Sequence, residues 1–222
     1  MADDYIAMIE RIEDEVDDAN IRDQIKLAIQ DSIKHYQRRE FYFNQSSFTF
    51  ATVSAQASYG TAASSNIPNL LLIKSMYVTS SGIRFPMFPI AYDALDNAQD
   101  GLITSSPPTN CAYYGQELWL YPIPNAVETV TVSAILRLAA LSADADTNAW
   151  MVDGEELIRQ HAKWIIASDI THEPEEAATA QAREAIALKA LERDTAQRRG
   201  RPAVTVDAAM LTSRPFNIYT GQ

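Results

Sequence analysis

His35-Tyr36-Gln37-Arg38-Arg39-Glu40-Phe41-Tyr42-Phe43-Asn44-Gln45-Ser46-Ser47-Phe48-Thr49-Phe50 is the stretch in which the apolar period of this chain changes. Before it, Ile21, Ile25, Ile29, Ile33 and Tyr36 recur at helical spacing, which predicts a helix over residues 19–39. Within it, Phe41 and Phe43 alternate, as do Phe48 and Phe50, which is the period of a strand. Upstream, Tyr5, Ile9, Ile12 and Val16 place one apolar face on a helix over residues 4–18. The other face of that helix carries Asp14, Glu15, Asp17 and Asp18. The cations Lys34, Arg38 and Arg39 gather at the end of the second helix, where they complement the negative pole of its dipole.

Downstream of Phe50 the pattern stays strand-like for about a hundred residues. Residues 54–66 are small and polar and read as a long loop. Residues 70–78 and 83–88 read as strands about the Ser80-Ser81-Gly82 turn, and residues 91–103 as a short helix. Residues 111–114 and 117–121 form a hairpin about Gly115-Gln116, closed by Pro122-Ile123-Pro124. Val130, Val132, Ala134 and Leu136 alternate with Thr129, Thr131, Ser133 and Arg137, as in a strand with one buried face.

Helical patterning returns at Asp153, where Asp153 and Glu156 have the spacing of a capping box. Leu157, Trp164 and Ile165 fall on one side of this helix. Pro174 suits the first turn of the next, an alanine-rich helix in which Ala178, Ala182 and Ala185 offer a close-approach face. After Arg199-Gly200-Arg201-Pro202 no period remains, although Val204, Val206, Met210, Leu211, Phe216, Ile218 and Tyr219 are apolar. The expected fold is therefore α+β. N- and C-terminal helix pairs (1–40 and 151–198) form one bundle, residues 41–150 an inserted antiparallel β-rich domain, and 199–222 an extended tail. Neither helix pair has an apolar stripe wide enough to be stable alone, which is why they are expected to pack together.

Composition narrows the function. The chain has 222 residues, enough to fold without a disulfide or metal. Its one cysteine, Cys111, reads as a small packed side chain. A net charge of −11 argues against general nucleic-acid affinity, which needs clustered Lys and Arg. The acidic start, Met1-Ala2-Asp3-Asp4, is not that of a signal peptide, and no apolar run reaches the ~18 residues of a membrane span. His161, Asp169 and His172 could be drawn as a metal site, but His161 and Asp169 are eight residues apart and no third ligand is near, so the expectation is no metal, no cofactor and no catalytic site. The four phenylalanines lack interleaved basic residues and read as core rather than as a stacking platform for bases.

Taken in order, Arg38-Arg39-Glu40-Phe41-Tyr42-Phe43, Pro107-Pro108-Thr109, Leu118-Trp119-Leu120-Tyr121-Pro122-Ile123-Pro124, Leu141-Ser142 and Asn148-Ala149-Trp150-Met151 resemble the head-to-tail adaptor proteins of short-tailed bacteriophages, over about residues 5 to 195. That resemblance implies a structural protein made in the host cytoplasm and built into the virion. It further implies a twelve-fold ring beneath the portal that extends the DNA channel and docks a tail tube, nozzle or fibre protein, with DNA passing through the lumen without specific binding. A closed ring needs two different faces on each copy. Asp14, Glu15, Asp17 and Asp18 on one face and Lys34, Arg38 and Arg39 on another are the candidate ring-interface charges. Family adaptors grip the portal with chain ends, which makes Arg199, Arg201, Met210, Leu211, Phe216, Ile218 and Tyr219 the candidate contacts to the portal or a neighbouring copy. Another tail-completion or tail-tube protein is the competing reading, and a small hydrolase or binding module a further one.

Overall fold

A computed structural model of the chain describes residues 4–16, 19–60, 67–99, 104–105 and 107–199. Among these it is mixed α+β, with six α-helices and a seven-stranded sheet. Asp17, Asp18, Arg201 and the apolar tail residues Met210, Leu211, Phe216, Ile218 and Tyr219 lie outside the described residues.

Helix α1 spans Tyr5–Val16 and buries Tyr5, Met8, Ile9 and Ile12. Asp4 starts it by accepting the Ala7 backbone N–H at 3.0 Å, satisfying one of the amides that a first turn leaves open. A 3-10 turn at Ala19–Ile21 leads into α2, Arg22–Tyr36, which buries Ile25, Ala28, Ile29, Ser32 and Tyr36. This helix ends sooner than its sequence predicts, so Arg38 and Arg39 follow it rather than belong to its last turn. The phenylalanine pattern then divides. Residues 41–44 form a turn, not a strand, held by the Asn44 side chain. Its Oδ1 accepts from the Phe41 N–H at 2.9 Å and its Nδ2 donates to the Arg39 carbonyl at 2.7 Å. Turn geometry sends both rings the same way, stacked at 5.4 Å and capped edge-on by Trp150 at 5.7 and 4.9 Å.

Strand β1 begins only at Gln45 and runs to Ala51, with Phe50 buried and Phe48 half-buried on the sheet core. The sheet order is β1-β7-β3-β4-β5-β6-β2, from strands β2 (Ser58–Tyr59), β3 (Leu70–Ser80), β4 (Ile83–Pro89), β5 (Asn110–Tyr114), β6 (Glu117–Tyr121) and β7 (Thr129–Leu136). It is not wholly antiparallel, because the end of β4 pairs in parallel with β5. A parallel pair needs a crossover, and α3, Tyr92–Gln99, lies in it. The two hairpins close through tight turns with positive φ at both central residues: Ser81 and Gly82, then Gly115 and Gln116. The sheet curls until its first and last strands meet, with the Phe50 and Tyr59 rings 5.0 Å apart. Tyr59 is 1 % exposed, so the predicted polar loop over 54–66 contributes to the core after all. Its hydroxyl receives the Val53 N–H at 3.0 Å and donates to the Gln56 carbonyl at 3.0 Å.

After β7 the chain re-enters the helical core at Leu138 and Leu141. Asn148, not Asp153, caps the next helix: its Oδ1 accepts the Trp150 N–H at 2.9 Å and opens α4, Ala149–Val152. The capping box therefore does not form, and Gly154 precedes α5, Glu155–Asp169. A Cβ at Gly154 would come within 2.9 Å of the Trp150 ring, so packing selects glycine there. Helix α6, Pro174–Arg198, has its proline in the first turn as predicted. The face it buries is a different one: Ala180, Ala187, Leu191 and Thr195, whereas Ala178, Ala182 and Ala185 are exposed. One apolar cluster collects residues of α1, α2, α4, α5 and α6, and a second belongs to the sheet.

Candidate assembly surfaces

The charges that the sequence singles out divide into those used within the chain and those left facing outward. Glu15 is used. Arg159 of α5 reaches back to it, and Lys163 one turn on pairs with its second oxygen at 2.8 Å. Arg159 also bridges Glu155 and Glu156, and Arg11 joins Glu155 at 3.0 Å, so α1 and α5 are laced by a continuous ion network. Such a network, in which Arg159 at 18 % side-chain exposure meets three carboxylates, is worth more than isolated surface pairs, because its central charges have several partners and less water to screen them. Asp14 stands beside it, exposed, without an ion pair among the described residues.

At the other end of α2 the same sorting applies. Lys34 pairs with Asp31 at 2.7 Å on its own helix. Arg39 meets Glu192 of α6 at 3.4 Å and lies over the Tyr36 ring. Arg38 is exposed and has no ion pair among the described residues.

Glu40 organises the junction between helices and sheet, and the sequence gives it no prominence. One of its carboxylate oxygens takes both Lys74 of β3 and Arg199. Burial alone would raise its carboxyl, but the hydrogen bonds and charges of those two cations outweigh it and hold the group below the usual carboxylate range. Close by, Arg198 stacks 3.8 Å over the Tyr42 ring, the Tyr42 hydroxyl donates to Asp153 at 2.8 Å, and the Tyr42 N–H donates to Thr195 at 3.2 Å. The end of α6 is thus pinned to the turn after α2. Arg199, a candidate portal contact by sequence, is held here by Glu40 of its own chain.

One buried polar cluster deserves separation from catalysis. His161 Nδ1 lies 2.9 Å from Ser32 Oγ and its Nε2 4.0 Å from Glu184, residue types that also make up a hydrolytic triad. The arrangement is unlike a nucleophile site. Ser32 is wholly buried and donates its proton to the Ala28 carbonyl at 2.6 Å, so it accepts from the imidazole rather than delivering a proton to it. Glu184 is instead occupied by the Tyr36 hydroxyl. Burial, and after it the neighbouring His35, lower the His161 pKa against the pull of Glu184. Cys111 is no better placed: burial pushes its thiol up to about 11, away from the reactive thiolate. Among the described residues no group of His, Cys, Asp and Glu is arranged to hold a metal, and no helix is long and apolar enough to cross a membrane.

The described surface thus pairs most of these charges within the chain and leaves Asp14 and Arg38 exposed, without an ion pair among the described residues. The family model for the SU10 adaptor protein matches residues 3–206. The chain belongs to that family of phage head-to-tail adaptors. No individual curated protein matches it. Membership makes this adaptor a structural component of the phage particle, associated with portal and tail proteins.

Proposed function

We propose that the adaptor closes into a twelve-fold ring beneath the portal, extends the DNA channel through its lumen and presents a docking surface to a tail tube, nozzle or fibre protein. The helix pairs act as the frame of each copy, and the curled sheet is the part carried by that frame. The family match over residues 3–206 is the observation that carries this reading. The separation of charge supports it. A ring repeats one heterologous contact, and this chain offers Asp14 on one surface and Arg38 on another, both exposed and neither paired among the described residues. A net charge of −11 for the chain supports a lumen that DNA passes without sticking.

The stretch after Arg199 is the portal grip in this reading. It leaves from a fixed point, because α6 ends in the contacts to Glu40 and Tyr42. Each large apolar side chain it buries on a partner contributes about 1.5–3 kcal/mol, against about 1–2 kcal/mol per residue for ordering the backbone. Met210, Leu211, Phe216, Ile218 and Tyr219 therefore offset a good part of that cost. Mass measurement of the purified chain, alone and with portal, tests the function. A ring-sized species in either sample supports it; a chain that stays monomeric with portal present overturns it.

A further inference from the structure

A cleft of about 350 Å³ opens between the end of α1, the middle of α5 and the first turns of α6. At its floor Gln160 is 1 % exposed. Its amide nitrogen donates to Glu156 at 2.9 Å, but its carbonyl oxygen is buried without a hydrogen-bond partner. A buried amide oxygen left empty costs about 1–3 kcal/mol, and a donor brought against this wall of the cleft would relieve it. Val16, Ile166 and Ala180 line the walls and suit an alkyl stem.

The charge of the cleft selects the donor. Its lining holds the carboxylates Glu15, Glu175 and Glu176 against the cations Lys163 and Arg183. Lys163 is already committed to Glu15. Glu175 and Glu176 remain, exposed at the rim, against the single cation Arg183, so the cleft keeps a net negative charge. A hydrogen bond to Glu176, together with the charge of that carboxylate, raises the pKa of the neighbouring Glu173. Crowded carboxylates at this rim favour an arriving cation, which relieves their mutual repulsion. A guanidinium meets all of these conditions: several donors for the Gln160 oxygen and the rim carboxylates, and a stem for the apolar walls.

We infer that this cleft receives the Arg38 guanidinium of the adjoining copy, and so forms one half of the heterologous contact that closes the ring. The inference rests on the ring reading above and names its contact. Arg38 is the member of the basic cluster that is left over, since Lys34 and Arg39 are paired within the chain. It cannot reach the rim carboxylates of its own chain. Arg39 touches Glu192, which lies sixteen residues along α6 from Glu176, about 24 Å at the helical rise.

Cysteines beside both positions test this directly, because the native Cys111 is buried and its thiol pKa is raised. In the double variant Gln37→Cys, Thr179→Cys, which keeps Arg38 and the rim carboxylates, a short bis-maleimide can join the two sites only between copies, and a ladder of covalent multimers is expected. Each single variant stops at dimers. The Arg38→Glu variant of the full chain should need at least a tenfold higher concentration to assemble, while Arg38→Lys, which keeps the charge but not the fork, should fall between it and the native chain. Circular dichroism checks that each variant folds. If the native chain forms rings but the double variant gives no ladder, or if Arg38→Glu assembles like the native chain, the inference fails and the ring stands. If the native chain forms no ring with or without portal, the ring reading fails and the inference with it.

Discussion

Protonation of His161 should destabilise the fold, and its size can be bounded. The ring is 6 % exposed, with Ser32 on Nδ1, Glu184 4.0 Å from Nε2, and the His35, Tyr36 and Trp164 rings around it. Because Ser32 spends its proton on Ala28, the neutral tautomer that fits donates from Nδ1 and leaves Nε2 bare. Burial lowers the folded pKa below the ordinary 6.5, so as pH falls the unfolded chain takes up the proton first. The stability His161 contributes is therefore complete above pH 6.5 and is lost as pH falls through the folded value. One proton limits the slope to about 1.4 kcal/mol per pH unit. For a chain of this length that is ~3–6 °C in Tm per unit. The assay is thermal melting of the native chain and His161→Gln from about pH 7 to about pH 5, reading the difference in Tm so that the carboxylates common to both cancel. The native advantage should shrink across this range. A constant difference would mean that Glu184 cancels burial, and an advantage that grows toward acid that it outweighs burial; either result would refute the reasoning.

Three further outcomes follow from packing and from the chain end. Gly154→Ala places a methyl 2.9 Å from the Trp150 ring and should cost about 1–3 kcal/mol in denaturant unfolding. Cys111, 1 % exposed, should resist thiol reagents in the native state and react at the rate of unfolding; rapid labelling of folded protein would contradict its placement. Deleting residues 200–222 should leave Tm nearly unchanged yet weaken portal binding severely, and a truncated chain that melts much lower but still binds portal would show the stretch to be part of the core.

What could be read from sequence was whatever local periodicity encodes. The hairpin at Gly115-Gln116, the alternation in β7 and the proline opening of α6 each need only a few neighbouring residues, and each appears where expected. The turn at residues 41–44 escaped because alternation of Phe41 and Phe43 is equally compatible with a strand and with a turn that aims both rings at Trp150. The capping position escaped for a related reason. Asp153 has the right spacing to Glu156, but Asn148 reaches Trp150 first and Asp153 is taken by Tyr42. The buried face of α6 is chosen by α5, the helix it packs against, rather than by its alanines, which differ little from one another around the helix. The ion hub at Glu40 joins residues far apart in the chain, and no spacing rule announces it. Charge clusters were visible as types, but which of them face outward depends on partners that only the fold brings near: Glu15 turns inward to Arg159 and Lys163, whereas Arg38 does not turn inward.

The most direct test is imaging of the head–tail junction in intact particles of the phage that encodes this chain. The account predicts twelve copies of the 24.6 kDa chain in one ring against the portal, helices and curled sheet both recognisable, with the DNA channel running through its centre. Finding the chain elsewhere in the particle, or at the junction without a closed ring, would contradict it.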